Sequence, residues 1–311
     1  MNYEELLIQQ VLSDDRYIIL TAENRAAIRN LPGIIPDRFI DTGITEQTLV
    51  GVSAGLALRG RIPVSHALAS FLTMRAFEFI RTDVGIPKLP VKLVGSFAGF
   101  LSEANGPTHQ AVEDISLMRG IPKMNVFCPA DEDDMLKCLP KILGCNKPFY
   151  IRYNNSKPFM EHQNFVLGKA EQIGDGKDVA ILTYGVLTEQ AVKAAEILRN
   201  RGVSARVLNM RCLKPLDKEA VDLAISETSL LVTVEDHFLT GGLFTILSEH
   251  IVKNNQTAKV YPVALKNKWF KPALFNDVLE YEGFTASQLA NKIENHLIKK
   301  RTEYYVEWSC V

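Results

Sequence analysis

The sequence predicts two successive α/β domains, each built on a mostly parallel sheet layered by helices. Three observations carry this. Short β-rich runs alternate with amphipathic helical stretches from Tyr17 to Tyr153, a polar, proline-containing break follows at Asn154–Gln163, and the same alternation then restarts. At 311 residues the chain has room for two domains of about 150 residues each. The boundary falls near residue 160, which gives a first domain over 1–160 and a second, smaller one over 161–311.

In the first domain Tyr17–Thr21 (YIILT) reads as a strand, and so does RFID, Arg38–Asp41. Glu46–Leu58 reads as a helix, with Leu49, Val52 and Leu56 near helical spacing. Ile62–His66 is a strand, Phe71–Arg81 a helix, Val91–Gly95 a strand and Val112–Met118 a helix. Val126–Cys128, Asp131–Leu143 and Phe149–Tyr153 complete the unit as strand, helix and strand. After a turn at Gly174–Asp178, the strands are Val179–Thr183, Ala205–Leu208 and Leu230–Val234. The helices are Val186–Arg201, Asp217–Ser226, Leu243–Lys253 and Ala286–Lys299.

Composition narrows the function. Thirty-five basic against 36 acidic residues leave a net charge of −1, so no overall basic field draws nucleic acid or an anionic membrane. No apolar run reaches the length of a membrane span, and MNYEELLIQQ has no signal-peptide core. The five cysteines, Cys128, Cys138, Cys145, Cys212 and Cys310, form no C-x-x-C pair. A zinc site or disulfide framework is not expected, and a reducing cytoplasm is.

Three segments carry the chemistry. In Arg38–Leu58 (RFIDTGITEQTLVGVSAGLAL) a carboxylate, Glu46, opens a helix rich in small residues. Taken alone, Glu46 needs no more than the preference of acidic residues for helix N-termini. Ile62–Glu78 (IPVSHALASFLTMRAFE) holds Phe71 and His66, and each has an equally simple reading as core. Phe97–Ile115 contains Gly106-Pro107-Thr108-His109-Gln110, where a Gly-Pro turn presents a histidine ahead of a helix starting near Ala111. A histidine in a cleft titrates near neutrality and can exchange a proton with a sugar oxygen.

Together these segments resemble the pyrimidine-binding domain of transketolases and deoxyxylulose-phosphate synthases. The second half, with Leu182–Gly185 (LTYG), Leu213-Lys214-Pro215 and Val234–His237 (VEDH), resembles the transketolase C-terminal domain. The resemblance implies one chain of a split transketolase, moving a two-carbon ketol unit with thiamine diphosphate. It gives Glu46 the hydrogen bond to the cofactor's aminopyrimidine nitrogen, in an apolar surround that keeps the proton on the carboxyl group. Phe71 is implied to stack on the pyrimidine, and His109 to bind the donor sugar and transfer a proton. Asn105, Arg152 and His66 are implied along the sugar path.

Departures from the family pattern bear on the substrate. Asn105 stands where the family usually has Asp, Phe97 aligns with a phosphate-contacting histidine, and Ala27 lies near a phosphate-contacting serine; only Arg152 matches a phosphate ligand. Leu68 replaces a further aromatic. Gly174-Asp175-Gly176 looks like a diphosphate motif, but it precedes a strand and no asparagine follows at the needed distance, so it reads as a turn. With no metal ligands here, Mg²⁺ and the diphosphate are expected on a separate N-terminal transketolase chain, in an α2β2 heterotetramer. Two other readings stay open: the β subunit of a 2-oxoacid dehydrogenase, and a non-catalytic assembly partner. Asp236 and His237, though adjacent, make no catalytic constellation in the second domain.

Overall fold

The computed structural model describes the backbone of residues 1–308 and side chains through Ile298; Cys310 lies outside the described residues. Its strands are β1 (Tyr17–Thr21), β2 (Phe39–Asp41), β3 (Ile62–Leu68), β4 (Lys92–Ser96), β5 (Asn125–Phe127) and β6 (Phe149–Arg152), then β7 (Glu171–Ile173), β8 (Val179–Thr183), β9 (Ala205–Asn209), β10 (Cys212–Lys214), β11 (Leu230–Phe238) and β12 (Val260–Leu265). They form a seven-stranded sheet, β10-β5-β6-β4-β3-β1-β2, and a five-stranded one, β12-β11-β8-β9-β7. All pairings are parallel except β10 with β5 and β7 with β9. The two α/β domains and their mostly parallel sheets are as the sequence predicts.

Both faces of the strands are covered, and β1 and β8 are buried at every residue. This is why they read as unbroken apolar runs rather than alternating ones. Leu20, Leu93 and Val126 sit in the core with no exposed surface, and each such side chain contributes about 1.5–3 kcal/mol of burial. The helices Tyr3–Ser13 and Phe275–Glu282 and the single turn Leu31–Ile34 were not foreseen. Tyr3–Ser13 is fixed by a capping box between Asn2 and Glu5, and buries Tyr3, Leu6, Leu7 and Val11. The helix expected over Phe71–Arg81 is wound as π-helix at Phe71–Arg75 and Ile80–Gly85, around one short α turn.

The domains are joined by more than a linker. β10 belongs by sequence to the second half, yet it pairs antiparallel with β5 of the first sheet, Cys212 opposite Phe127. It covers what would otherwise be an open edge of β5. Behind it lies a buried polar network. His162 holds Glu171 through Nδ1 (2.7 Å) and Asp131 through Nε2 (3.0 Å). Arg211 lies 2.6 Å from Asp134 and 2.9 Å from Glu171. Burial alone would lower the His162 pKa; its hydrogen bonds to Asp131 and Glu171 raise it instead, to about 10.

The VEDH motif is a second clamp. Glu235 accepts from the amides of Leu243 (2.6 Å) and Phe244 (2.9 Å), the first turn of the helix Leu243–Lys253. A Cβ at Gly242 would stand 2.0 Å from the Glu235 carboxylate, so only glycine fits there. His237 Nε2 accepts from the Ser116 amide in the first domain, at 3.3 Å.

Candidate functional site

In an open parallel sheet, ligands bind beyond the carboxyl ends of the strands, above all where successive strands depart to opposite sides. Here β2 lies on one side of β1 and β3 on the other. Glu46 follows β2, Phe71 follows β3, and Asn105 and His109 follow β4. The topology thus gathers four residues, far apart in sequence, at one edge of the first sheet.

Side-chain contacts join three of them. The Glu46 side chain is 3% exposed, and its Oε2 accepts from Arg75 Nη1 at 2.9 Å. The Arg75 guanidinium lies over the Phe71 ring, 4.3 Å from its centre. Phe71 meets the His109 ring edge to face, with centroids 5.0 Å apart. Carboxylate, guanidinium, phenyl ring and imidazole therefore form one continuous chain. The π winding over Phe71–Arg75 carries the phenyl ring at its first residue and the guanidinium at its last, and such windings are frequent at functional sites.

Arg75 is the member that sequence reasoning missed. It stood inside the string Arg75-Ala76-Phe77-Glu78, but nothing in the spacing showed that it would reach back to Glu46. The surround expected to be apolar thus contains a cation. The signal available was a basic residue four positions after Phe71, one helical turn along the same face.

His109 is half-buried, and its Nδ1 shares a hydrogen bond of 2.9 Å with Thr108 Oγ1. Its loop is set by Gly106, whose φ of +81° favours glycine. The helix beyond begins at Asp114 rather than near Ala111. Asn105 is exposed on the same loop and donates to the Ser102 carbonyl at 3.0 Å. It makes no hydrogen bond, ion pair or ring contact with the other three.

Two expected site residues lie elsewhere. His66 sits within β3 and is 1% exposed. Its Nδ1 is 3.1 Å from the Leu20 carbonyl and its Nε2 2.7 Å from the Tyr3 hydroxyl, so neither nitrogen is left for a sugar. Burial lowers its pKa to about 4, which keeps it neutral. Arg152 is also enclosed. It donates to both oxygens of Asp114 (2.6 and 2.8 Å) and to Asp236 at 2.6 Å. Asp236 accepts in turn from the Phe100 amide at 3.2 Å. Arg152 therefore fastens the two domains and does not line a sugar path.

The donor set matches one half of a thiamine cofactor. A carboxylate at a helix head and an aromatic face suit an aminopyrimidine, and Glu46 and Phe71 provide them. Ligands for a diphosphate and its metal are another matter. Among the described residues, one trio, Asp134, His162 and Glu171, brings ligand atoms within 4.8 Å of one another. Arg211 already neutralises its carboxylates, and His162 holds its own proton, so the trio is an ion network rather than a metal cage. The turn Gly174-Asp175-Gly176 has a packing reason for its glycines. Gly174 has a φ of +78°, and a Cβ at Gly176 would stand 2.3 Å from the Ala205 backbone.

Comparison with known proteins gives the family. The transketolase pyrimidine-binding domain family matches residues 6–158, and the transketolase C-terminal domain family matches residues 168–289. The chain is 35% identical to the 6-deoxy-6-sulfo-D-fructose transketolase subunit SqwH of Clostridium sp. (strain MSTE9), over 92% of this chain and 90% of that one. It is 37% identical to the 1-deoxy-D-xylulose-5-phosphate synthase of Dictyoglomus thermophilum, over 83% of this chain but 42% of that longer protein. A solved structure described as a split gene transketolase, inactive beta4 tetramer, superposes with a TM-score of 0.84 at 32% identity, over 94% of this chain and 96% of that one. The chain belongs to the transketolase family, as a subunit that joins its pyrimidine-binding and C-terminal domains.

Proposed function

We propose that this chain is the pyrimidine-binding subunit of a thiamine-diphosphate-dependent transketolase, which transfers a two-carbon ketol unit from a ketose to an aldose. The observation that carries the proposal is the chain of contacts from Glu46 through Arg75 and Phe71 to His109 at the carboxyl edge of the first sheet. Bound there, thiamine diphosphate would supply the carbon that carries the ketol unit. Glu46 would hydrogen-bond the pyrimidine nitrogen, and Phe71 would offer the ring an apolar face. His109 donates to, or accepts from, a sugar oxygen. Arg75 covers both the Glu46 oxygen and the Phe71 face, so it moves aside when the pyrimidine enters.

A separate chain carrying the diphosphate-binding domain would hold Mg²⁺ and the diphosphate, in an α2β2 assembly. The single candidate metal trio among the described residues is closed by Arg211, which supports a second chain as the source of metal ligands. The cysteines Cys128, Cys138, Cys145 and Cys212 are unpaired, which favours a reducing cytoplasm. As to substrate, Arg152 is the one phosphate contact that the family pattern retained, and two carboxylates occupy it. Phe97 and Ala27 offer no charge. These positions support a sugar whose terminus is not read as a phosphate by the usual residues.

The test is calorimetric titration of thiamine diphosphate with Mg²⁺ into this chain, into its partner, and into the mixture. Binding in the mixture alone is expected, and binding by this chain alone would overturn the shared site. A donor screen of the mixture should then show ketol transfer. Release of CO₂ from pyruvate would instead favour the 2-oxoacid dehydrogenase reading, and cofactor binding without turnover of any donor the non-catalytic one.

A further inference from the structure

A second cleft opens at the opposite edge of the first sheet, where the parallel strands begin. It measures about 650 Å³ and is lined by Lys88, Lys123, Lys147 and Lys214, with Met124 and three prolines among its apolar residues. Four separate segments bring the lysines together. Lys88 precedes β4, Lys123 precedes β5 and Lys147 precedes β6; β10 runs antiparallel, so its end at Lys214 arrives at the same place.

No carboxylate lines this cleft. Among the described residues, none of the four lysines forms an ion pair, whereas Lys137, Lys169, Lys193 and Lys268 each have a carboxylate partner. Four internal hydrogen bonds, from two lysines, make the arrangement firm. Lys214 donates to the carbonyls of Arg119 (2.7 Å) and Ile121 (2.6 Å), and buried Lys92 donates to those of Cys145 (2.5 Å) and Lys147 (2.6 Å). Burial, and then the cations Arg119 and Lys123, lower the Lys214 pKa.

We propose that this cleft binds a small molecule carrying linked phosphates. Unpaired ammonium groups around a concave wall match the charge of a di- or triphosphate. The apolar floor of Met124 and prolines suits an organic portion, in the way small-molecule pockets combine apolar walls with a few polar anchors. The site lies at the far edge of the sheet from Glu46, so it would act as a regulatory site, and it stands apart from the proposed reaction.

The test titrates the full chain, without divalent metal, with tripolyphosphate and with ATP. Saturable binding of one molecule per chain is expected. Tighter binding of ATP would mean that a nucleotide is read, and equal binding a bare polyphosphate. Lys88 and Lys123 have φ of +61° and +65°, which Asn tolerates, so the double variant K88N/K123N removes two charges without strain. It should bind about tenfold or more weakly. Lys147→Gln, exposed and on another segment, should weaken binding too, and stands in if the double variant unfolds. Glu46→Ala should bind as the parent does. The proposal fails if there is no saturable binding, or if the lysine variants bind normally. It also fails if Glu46→Ala abolishes binding, or if a control lacking Lys193 and Lys268 loses as much.

Discussion

Arg75 and Arg152 both serve carboxylates in the first domain, under opposite conditions. The Arg75 side chain is 42% exposed and makes one ion pair, with Glu46. Arg152 is 5% exposed and divides itself between Asp114 and Asp236, on two domains. In the first case water reaches the guanidinium, though hardly the Glu46 carboxylate, so separating the pair costs less than opening the enclosed triad. In the second no water waits, and either partner removed leaves a buried charge. The same residue types therefore do two jobs. The exposed pair can open for a ligand, and the enclosed triad holds domains together.

Four experiments would break or sharpen this contrast. The largest effect is expected for Arg152→Met, which strands Asp114 and Asp236. It should destabilise the fold by about 3–5 kcal/mol, read as a lower urea midpoint; a shift below about 1 kcal/mol would mean that water reaches the triad. Next, Glu46→Ala should lower turnover of the mixed enzyme by about a hundredfold or more while the two chains still assemble. Activity close to the parent's would remove Glu46 from the chemistry.

Third comes the other enclosed network, at His162. Its folded pKa of about 10 lies above the ordinary value near 6.5. Its contribution to stability is therefore complete below about pH 6.5 and fades as pH rises towards 10. Denaturation of the parent and His162→Gln at pH 6 and pH 9 should show a smaller gap at the higher pH. A constant gap would mean that His162 does not titrate there. The smallest effect is expected for Arg75→Met, a loss in thermal unfolding well below that of Arg152→Met, because one carboxylate rather than two loses its partner. A loss as large as that of Arg152→Met would end the distinction between the two arginines.

How much of this was legible depended on where the information lies. The strands Tyr17–Thr21 and Val179–Thr183 and the helices Glu46–Leu58 and Leu243–Lys253 have the bounds that the residues predict. Complete burial leaves only apolar side chains in such strands, and helix ends carry local signals. Motif position also singled out Glu46, Phe71 and His109, which the fold brings together. It gave no sign that His66 and Arg152 are enclosed, because a motif records a position along a strand and not which neighbours saturate it. The Tyr3 hydroxyl that satisfies His66 comes from 63 positions away, and the Asp236 that helps to hold Arg152 from 84. β12 and β10 escaped for related reasons. β12 reads VYPVAL, and the proline inside that run argues against a strand there. β10 is three residues long and pairs outside its own half of the chain.

That short strand limits how the protein can be taken apart. Cutting the chain at the polar break near residue 160 would leave the first half without β10, and the backbone of β5 would face solvent as a bare sheet margin. Such margins recruit any extended segment nearby, from another copy as readily as from the missing half. The freed second half would carry Arg211 without the Asp134 it faces. The two domains, though each has its own sheet, are thus poor candidates for modular exchange: a domain swapped in from a relative must bring along a strand encoded in the other domain.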